Sequence, residues 1–103
     1  MPHDKKIIDF SQKVEEEQTK GVKIRYPSLN DEAVKRYSKV TVKPGRKYTK
    51  VDIGTSGYFM VDENGNIFGI KGYGVVNKKK QYGTLDTINE WYWGGYVPKK
   101  ILF

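Results

Sequence analysis

The sequence contains no cysteine and a single histidine, His3, near its N-terminus. Without cysteine the chain can form neither a disulfide scaffold nor a thiolate zinc site, and one histidine does not make a metal centre. No apolar run approaches the roughly 18 residues that span a bilayer, and the N-terminal segment lacks the apolar core of a signal peptide. We therefore expect a soluble cytoplasmic protein with no metal, no cofactor and no membrane contact.

Groups able to support catalysis are equally scarce. Ser56 has no recognisable base partner, and the chain offers no thiol nucleophile. The acids that could pair in general acid–base chemistry are each explained by a turn, a helix cap or a solvated strand face. We expect no enzymatic activity and no catalytic residue.

Positive charge is what the sequence has in excess. Its 103 residues include 19 Lys and Arg against 12 Asp and Glu, a formal net charge of +7. Residues 21–50 alone hold nine of the basic residues against two acids. A local excess of this kind suits a polyanion partner, so nucleic acid is the first expectation.

The strongest local structural signal is a β-hairpin near the middle of the chain. Residues 58–61 and 67–70 are short runs rich in aromatic and β-branched residues, and the turn formers 62–66 separate them. Asn64 and Gly65 tolerate the positive φ that a tight two-residue turn needs. They are the predicted tip.

Two turn types are possible for this hairpin, and they give different registers. If Asn64 and Gly65 form the whole loop, Val61 pairs with Phe68 and the apolar side chains collect on one face. If the loop is a type I turn with Gly65 as a bulge, the register slips by one, Met60 pairs with Phe68, and apolar groups occupy both faces. We favour the first register because it separates the faces better.

Residues ahead of the hairpin predict a helix and then a strand. Residues 5–20 carry apolar side chains at approximately helical spacing, and Gly21 is expected to end this helix at the edge of the domain. Residues 22–26 alternate apolar and basic side chains, which predicts a half-buried strand. Lys23 and Arg25 would share its solvent face.

The next segment predicts a second helix and a second hairpin. Ser28 begins a capping-box-like pattern, and apolar residues then recur at helical spacing up to residue 38. Residues 40–42 and 48–53 read as two strands joined by a turn that contains proline and glycine.

The C-terminal part predicts a short helix and a terminal strand. Thr84 is a plausible N-cap for a helix that reaches Trp91. Residues 97–103 are expected to form an edge strand or a docked terminus.

These elements predict an α+β fold: a small antiparallel sheet of four or five strands with two or three helices on one side. Residues 1–103 are expected to form a single domain, with 1–20 as a peripheral helix. The predicted core consists of apolar residues from both layers, namely Leu29, Val34, Phe59, Val61, Phe68, Ile70, Leu85, Ile88 and Trp91.

Aromatic residues concentrate in the C-terminal half. The four residues 71–74 fit the opening of the RNA-recognition signature, but Val75 stands where that signature calls for an aromatic. Together with the lysines 78–80, a group of six aromatic residues combines rings with cations, as single-strand binders do. The six are Tyr73, Tyr82, Trp91, Tyr92, Trp93 and Tyr96. We expect Trp91 to be buried and Tyr73 and Tyr82 to be available for stacking.

Residues 48–98 also carry a longer pattern. A Lys-Tyr-x-Lys strand leads to an aromatic hairpin with an Asn-Gly turn, then to Gly-Ile-Lys-Gly-Tyr-Gly and Tyr-Gly-Thr-Leu-Asp-Thr. This half of the chain resembles small orphan proteins of bacteriophages and mobile elements. The resemblance implies a phage-like or plasmid-like origin and hence action in the cytoplasm of a bacterial host cell, but it transfers no functional residue.

The sequence therefore predicts a small basic protein that binds DNA or RNA. Its alternative function, implied by the resemblance, is binding and inhibition of a host protein through an aromatic surface. Its oligomeric state stays open. The residues predicted to form one basic face with two stacking rings are Lys23, Arg25, Arg36, Arg46, Lys47, Lys50, Tyr73, Lys78, Lys79, Lys80 and Tyr82.

Overall fold

The computed structural model describes residues 4–95 and 97–101, so that His3, Tyr96 and residues 102–103 of the predicted terminal strand lie outside the described residues. It has an α+β architecture with a five-stranded antiparallel sheet, which confirms the predicted fold class. The α-helices are α1 (Asp4–Arg25) and α2 (Asp31–Ser38). The strands of the sheet are β1 (Val40–Lys43), β2 (Tyr48–Ile53), β3 (Ser56–Asp62), β4 (Asn66–Gly72) and β5 (Val75–Thr84).

The five strands lie side by side in sequence order, each antiparallel to the one before it. Because successive side chains of a strand point to opposite sides, the sheet has two distinct faces. The face toward α1, here called the core face, carries Val51, Phe59, Val61 and Ile67 in one buried cluster with α1. The side turned away from α1, here called the open face, carries Lys43, Lys50, Asp52, Met60 and Phe68.

Helix α1 is longer and more central than the sequence indicates. The predicted helix end at Gly21 and the predicted strand over residues 22–26 are both wrong, because α1 continues to Arg25. A Cβ atom at Gly21 would overlap the carbonyl oxygen of Gly94, so this glycine permits a close approach inside the helix and does not end it. Phe10 is fully buried, and the expectation of a peripheral helix is therefore also wrong.

Polar side chains of α1 hold the backbone of residues 93–95. The Glu17 carboxylate accepts a hydrogen bond from the N–H of Trp93 at 2.8 Å. The Gln18 amide donates to the carbonyl oxygens of Trp93 and Gly95 at 2.6 and 3.1 Å. These bonds satisfy backbone groups that have no partner in a strand or helix, so α1 fixes the path of the chain after the sheet.

Three aromatic rings form the centre of the core. Trp93 lies edge-on to Phe10 at 4.8 Å between centroids and edge-on to Phe59 at 5.5 Å. Trp93 is 1% exposed, whereas Trp91, which the sequence led us to expect in the core, is only half-buried. The core therefore joins α1, β3 and the segment after β5.

Five of the nine predicted core residues are buried, and the other four are only half-buried. Val34, Phe59, Val61, Phe68 and Leu85 are buried. Leu29, Ile70, Ile88 and Trp91 are half-buried. The α1 residues of the core were missed because this helix was assigned to the edge of the domain.

The central hairpin adopts the second of its two possible registers. Met60 pairs with Phe68 and Val61 with Ile67, so the register favoured from the sequence is wrong. Each pair lies on a different face of the sheet, and yet all four side chains are buried. Met60 is only 5% exposed on the open face, where its cross-strand partners are Lys50 of β2 and Phe68 of β4. Separating apolar from polar residues was therefore not what decided the register.

The turn chemistry decided it instead. The Gly65 N–H donates to the Asp62 carbonyl at 3.1 Å, and Gly65 has a φ of +85°, as a type I turn followed by a bulge requires. The Asp62 carboxylate accepts from the backbone N–H groups of Asn64 and Asn66, both at 2.9 Å. An aspartate at the first position of the turn thus stabilises the longer loop.

The predicted hairpin of β1 and β2 is confirmed, as is α2, although α2 has a different N-cap. Asn30, not Ser28, precedes the helix, and its side-chain oxygen accepts from the Ala33 N–H at 2.8 Å. The helix then leads directly into β1.

The segment after β5 does not form the predicted α-helix. Thr84 is the last residue of β5, and only a 3-10 turn, Ile88–Glu90, follows it. Strand β6 (Trp91–Tyr92) then pairs antiparallel with β7 (Lys99–Lys100) in a separate two-stranded sheet. The predicted terminal strand is therefore present in part.

Candidate nucleic-acid interface

Tyr73 lies in the tight turn between β4 and β5, and its ring reaches back across the open face. The turn is possible because Gly74 has a φ of +78°. The ring crosses β3 at Gly57, where an added Cβ would lie 3.0 Å from Cδ2 of Tyr73. Because Tyr73 sits in a turn and not within a strand, the comparison with the RNA-recognition signature fails.

The Tyr73 hydroxyl is fixed by two charged groups. It donates to the Asp52 carboxylate at 3.1 Å and accepts from the Lys43 ammonium at 3.0 Å. Lys43 and Asp52 also form an ion pair at 3.3 Å, which compensates a largely buried carboxylate. The hydrogen bond to Tyr73, followed by that to Asp52, raises the pKa of Lys43 above its ordinary value.

Two ammonium groups flank the same ring. Lys50 Nζ lies 5.1 Å and Lys43 Nζ 5.6 Å from the centroid of Tyr73, both within the range of cation–π attraction. Tyr73 is nevertheless 57% exposed. The result is an anchored aromatic surface bordered by positive charge, which can stack on a base and attract a phosphate.

Other predicted residues border the open face. Arg46 and Lys47 are exposed in the turn between β1 and β2, where the Lys47 ammonium lies 5.9 Å from the ring centroid of Tyr48. Lys78 and Lys79 are exposed on β5, the edge strand at the opposite side of the sheet. They lie in a stretch where the pairing with β4 is irregular.

The remaining basic residues do not join this face. Lys23 lies on α1, which packs on the core face, and Arg36 lies on α2, which packs against α1. Arg25 belongs to α1 and donates to the Gly94 carbonyl at 2.9 Å. The Cβ atom of Lys80 lies 3.3 Å from where a Cβ at Gly69 would be, next to the Tyr82 ring that packs against the core. The single basic face expected from the sequence is therefore wrong, because the positive segment spans two layers.

Tyr82 is not an open stacking ring. It packs edge-on against Phe59 at 5.9 Å and against Trp91 at 5.8 Å, and it covers Gly69. Partial burial raises the pKa of its hydroxyl above the ordinary value. Its expected availability for stacking is therefore wrong, since its ring area is used in the core.

Three residues that shape this site were not predicted: Lys43, Asp52 and Gly57. Pairing β1 with β2 from the sequence places Lys43 opposite Lys50, which is the signal that could have found it. Asp52 and Gly57 belong to the site because the Tyr73 ring, from the turn between β4 and β5, contacts them. No local sequence pattern indicates that contact.

Within residues 4–95 and 97–101, no group of three or more His, Asp or Glu side chains is placed to hold a metal ion. In the same part of the chain, neither helix is long and apolar enough to cross a membrane. Comparison with protein-family models, with curated proteins and with solved structures finds no match to this chain.

Proposed function

We propose that this protein binds single-stranded nucleic acid on the open face of its sheet. The observation that supports this best is the exposed Tyr73 ring with two ammonium groups 5.1 and 5.6 Å from its centroid. Single-strand binders combine stacking rings with cations that follow the backbone in this way. Since the Tyr73 hydroxyl is already held in place, little side-chain entropy remains to be lost on stacking.

The distribution of charge between the layers supports the same face. Residues 40–84, which form the sheet and its turns, contain eight Lys and Arg against three acids. Residues 4–38, which form the helical layer, contain eight against seven. A polyanion would therefore be drawn toward the sheet more strongly than toward the helices.

The two carboxylates within the strands of the sheet oppose this attraction only weakly. Asp52 is ion-paired with Lys43, and Asp62 accepts hydrogen bonds within its own turn. Neither presents an uncompensated negative charge to a phosphate. Lys50 and Lys47, by contrast, lie beside exposed or half-exposed rings and can each neutralise a phosphate while a base stacks nearby.

Fluorescence anisotropy with labelled single-stranded DNA, single-stranded RNA and a DNA duplex over a salt series tests this proposal. We expect the single strands to bind more tightly than the duplex and binding to weaken steeply as salt rises. Tyr73→Leu should cost ~1 to 3 kcal/mol of single-strand affinity, whereas Tyr73→Phe should retain most of it because the ring remains.

Charge variants separate specific contacts from net charge. Lys47→Gln with Lys50→Gln should weaken binding and lower the salt slope by about 1.4, because two phosphate contacts on a single strand are lost. The matched control is Lys5→Gln with Lys35→Gln, which removes the same charge from exposed positions on the helices. Equal losses for the two double variants, or no binding at low salt, would exclude the open face as the site.

A further inference from the structure

A cleft of about 480 Å³ opens on the helical layer, away from Tyr73 and Lys50. It lies between the C-terminal half of α1, α2 and the turn that joins β2 to β3. The lining residues that matter here are Val22, Arg25, Tyr26, Tyr37, Ile53 and Tyr58.

The floor of the cleft is apolar and its walls are aromatic. Val22 and Ile53, both buried, contribute to the floor. Tyr58 reaches the cleft at the point where the pairing of β2 with β3 is interrupted by a bulge. Tyr26 and Tyr37 are 50% and 56% exposed, so the cleft presents large rings to solvent. Tyrosine at a concave apolar site is typical of an anchor for a partner side chain.

Among the residues that the structure describes, the charged side chain that lines the cleft is that of Arg25. A second guanidinium, that of Arg36, lies 5.9 Å from the ring centroid of Tyr37 at the rim. The acids of α2, Asp31 and Glu32, line the neighbouring groove between α1 and α2 instead. A ligand that fits here is apolar at its centre and negatively charged at its edge.

We propose that this cleft docks a segment of a partner protein that inserts a large apolar side chain and sets a carboxylate beside the Arg36 guanidinium. Guanidinium groups suit this role because they bind carboxylates in a planar, two-pronged geometry. Arg25 is already bonded to the Gly94 carbonyl, so the incoming carboxylate pairs with Arg36, which is exposed. The site is separate from the open face, so it does not rest on nucleic-acid binding.

Selection from a yeast-displayed library of short random peptides tests the proposal. We expect the enriched peptides to combine Leu, Phe or Trp with a neighbouring Asp or Glu. A synthetic peptide of that sequence should perturb the amide NMR signals of Val22, Leu29 and Thr55 in the intact protein. Tyr37→Ser should reduce its affinity about tenfold or more, the loss typical of a central interface residue, and Tyr73→Leu should leave it unchanged.

A charge variant keeps the test decisive if Tyr37→Ser is poorly folded. Arg36→Glu changes an exposed residue of α2 and should also reduce peptide affinity, whereas Lys5→Glu, at an exposed position of α1, should not. Enriched peptides without acidic residues, or peptide binding that ignores both cleft variants, would overturn the proposal. So would an oligonucleotide that perturbs the same amide signals and loses affinity with Arg36→Glu, since the cleft would then bind nucleic acid.

Discussion

Gly57 and Tyr73 show how a missing side chain positions a ring. On β3, Gly57 leaves a gap that the Tyr73 ring occupies on its way to Asp52 on β2. An added Cβ would come within 3.0 Å of Tyr73 and 3.1 Å of Ile70. A hydrogen bond therefore holds the Tyr73 hydroxyl, and the ring packs directly on the backbone of Gly57.

We expect Gly57→Ala to weaken single-strand binding about fivefold, because the displaced ring moves away from the flanking ammonium groups and forfeits ~1 kcal/mol. Anisotropy titrations measure the affinity, and urea unfolding checks that the fold persists. Gly72→Ala is the matched control, since a Cβ there has no atom within 4 Å. Equal affinities for the two variants would show that the position of the Tyr73 ring does not matter for binding.

The packing of helix α1 depends on residues that are far from it in sequence. Glu17 and Gln18 bond to the backbone at 93–95, and Gly21 lets the helix approach Gly94 closely. Helix propensity alone favours alanine over glycine at position 21 by ~1 kcal/mol. The packing at Gly94 opposes that preference.

Gly21→Ala should therefore destabilise the protein by ~1 to 3 kcal/mol, because the overlap with the Gly94 carbonyl outweighs the gain in propensity. Chemical denaturation measures the change. Lys23→Ala provides the comparison on the same helix, since this exposed position should change stability by less than about 0.5 kcal/mol. A stabilised Gly21→Ala variant would mean that α1 and the segment at Gly94 can separate at little cost.

The sequence predicts those elements whose signals are local. Both hairpins and α2 follow from turn formers and short-range periodicity, and the α+β class follows from them. The path of residues 22–26 could not be predicted in this way, because Gly21 ends a helix by local rules and its actual partner, Gly94, is distant in sequence. The register of the central hairpin was mispredicted although its deciding signal, Asp62 and Gly65 in the turn, is local, because we expected the faces to separate and Met60 is buried on the open face.

The candidate site was predicted in the same partial way. Tyr73 and Lys50 were identified from composition, since a ring among cations is visible in the sequence. Tyr82 was misassigned because its use in the core depends on Phe59 and Trp91, two partners from other strands. Charge counted along the chain also misled, because residues 21–50 cross from the helical layer into the sheet.

The whole molecule is held together at one place, where α1, the sheet and the C-terminal segment meet. Phe10 contacts both Phe59 and Trp93 there, at 5.7 and 4.8 Å between ring centroids. A domain of this size has a modest core, and its net stability is a small difference between large terms. A substitution in this aromatic cluster should therefore destabilise α1, the sheet and the C-terminal segment together.

Phe10→Ala should cost ~3 to 5 kcal/mol, the range for a large aromatic removed from a packed core, and should loosen α1 and the Trp93 segment together. Urea unfolding followed by tryptophan fluorescence and by circular dichroism measures both. Ile8→Ala is the control, since Ile8 is an exposed apolar residue of the same helix. Two separate transitions would indicate that the helix and the sheet unfold independently.

Strand β5 has a consequence for how copies of this chain behave toward one another. It runs for ten residues along an edge of the sheet, where an unpaired strand could recruit a neighbour and start a fibre. This edge strand carries the three consecutive lysines 78–80, and its pairing with β4 is irregular. A second copy would have to bring its own lysines against them, so this charge discourages self-templated aggregation.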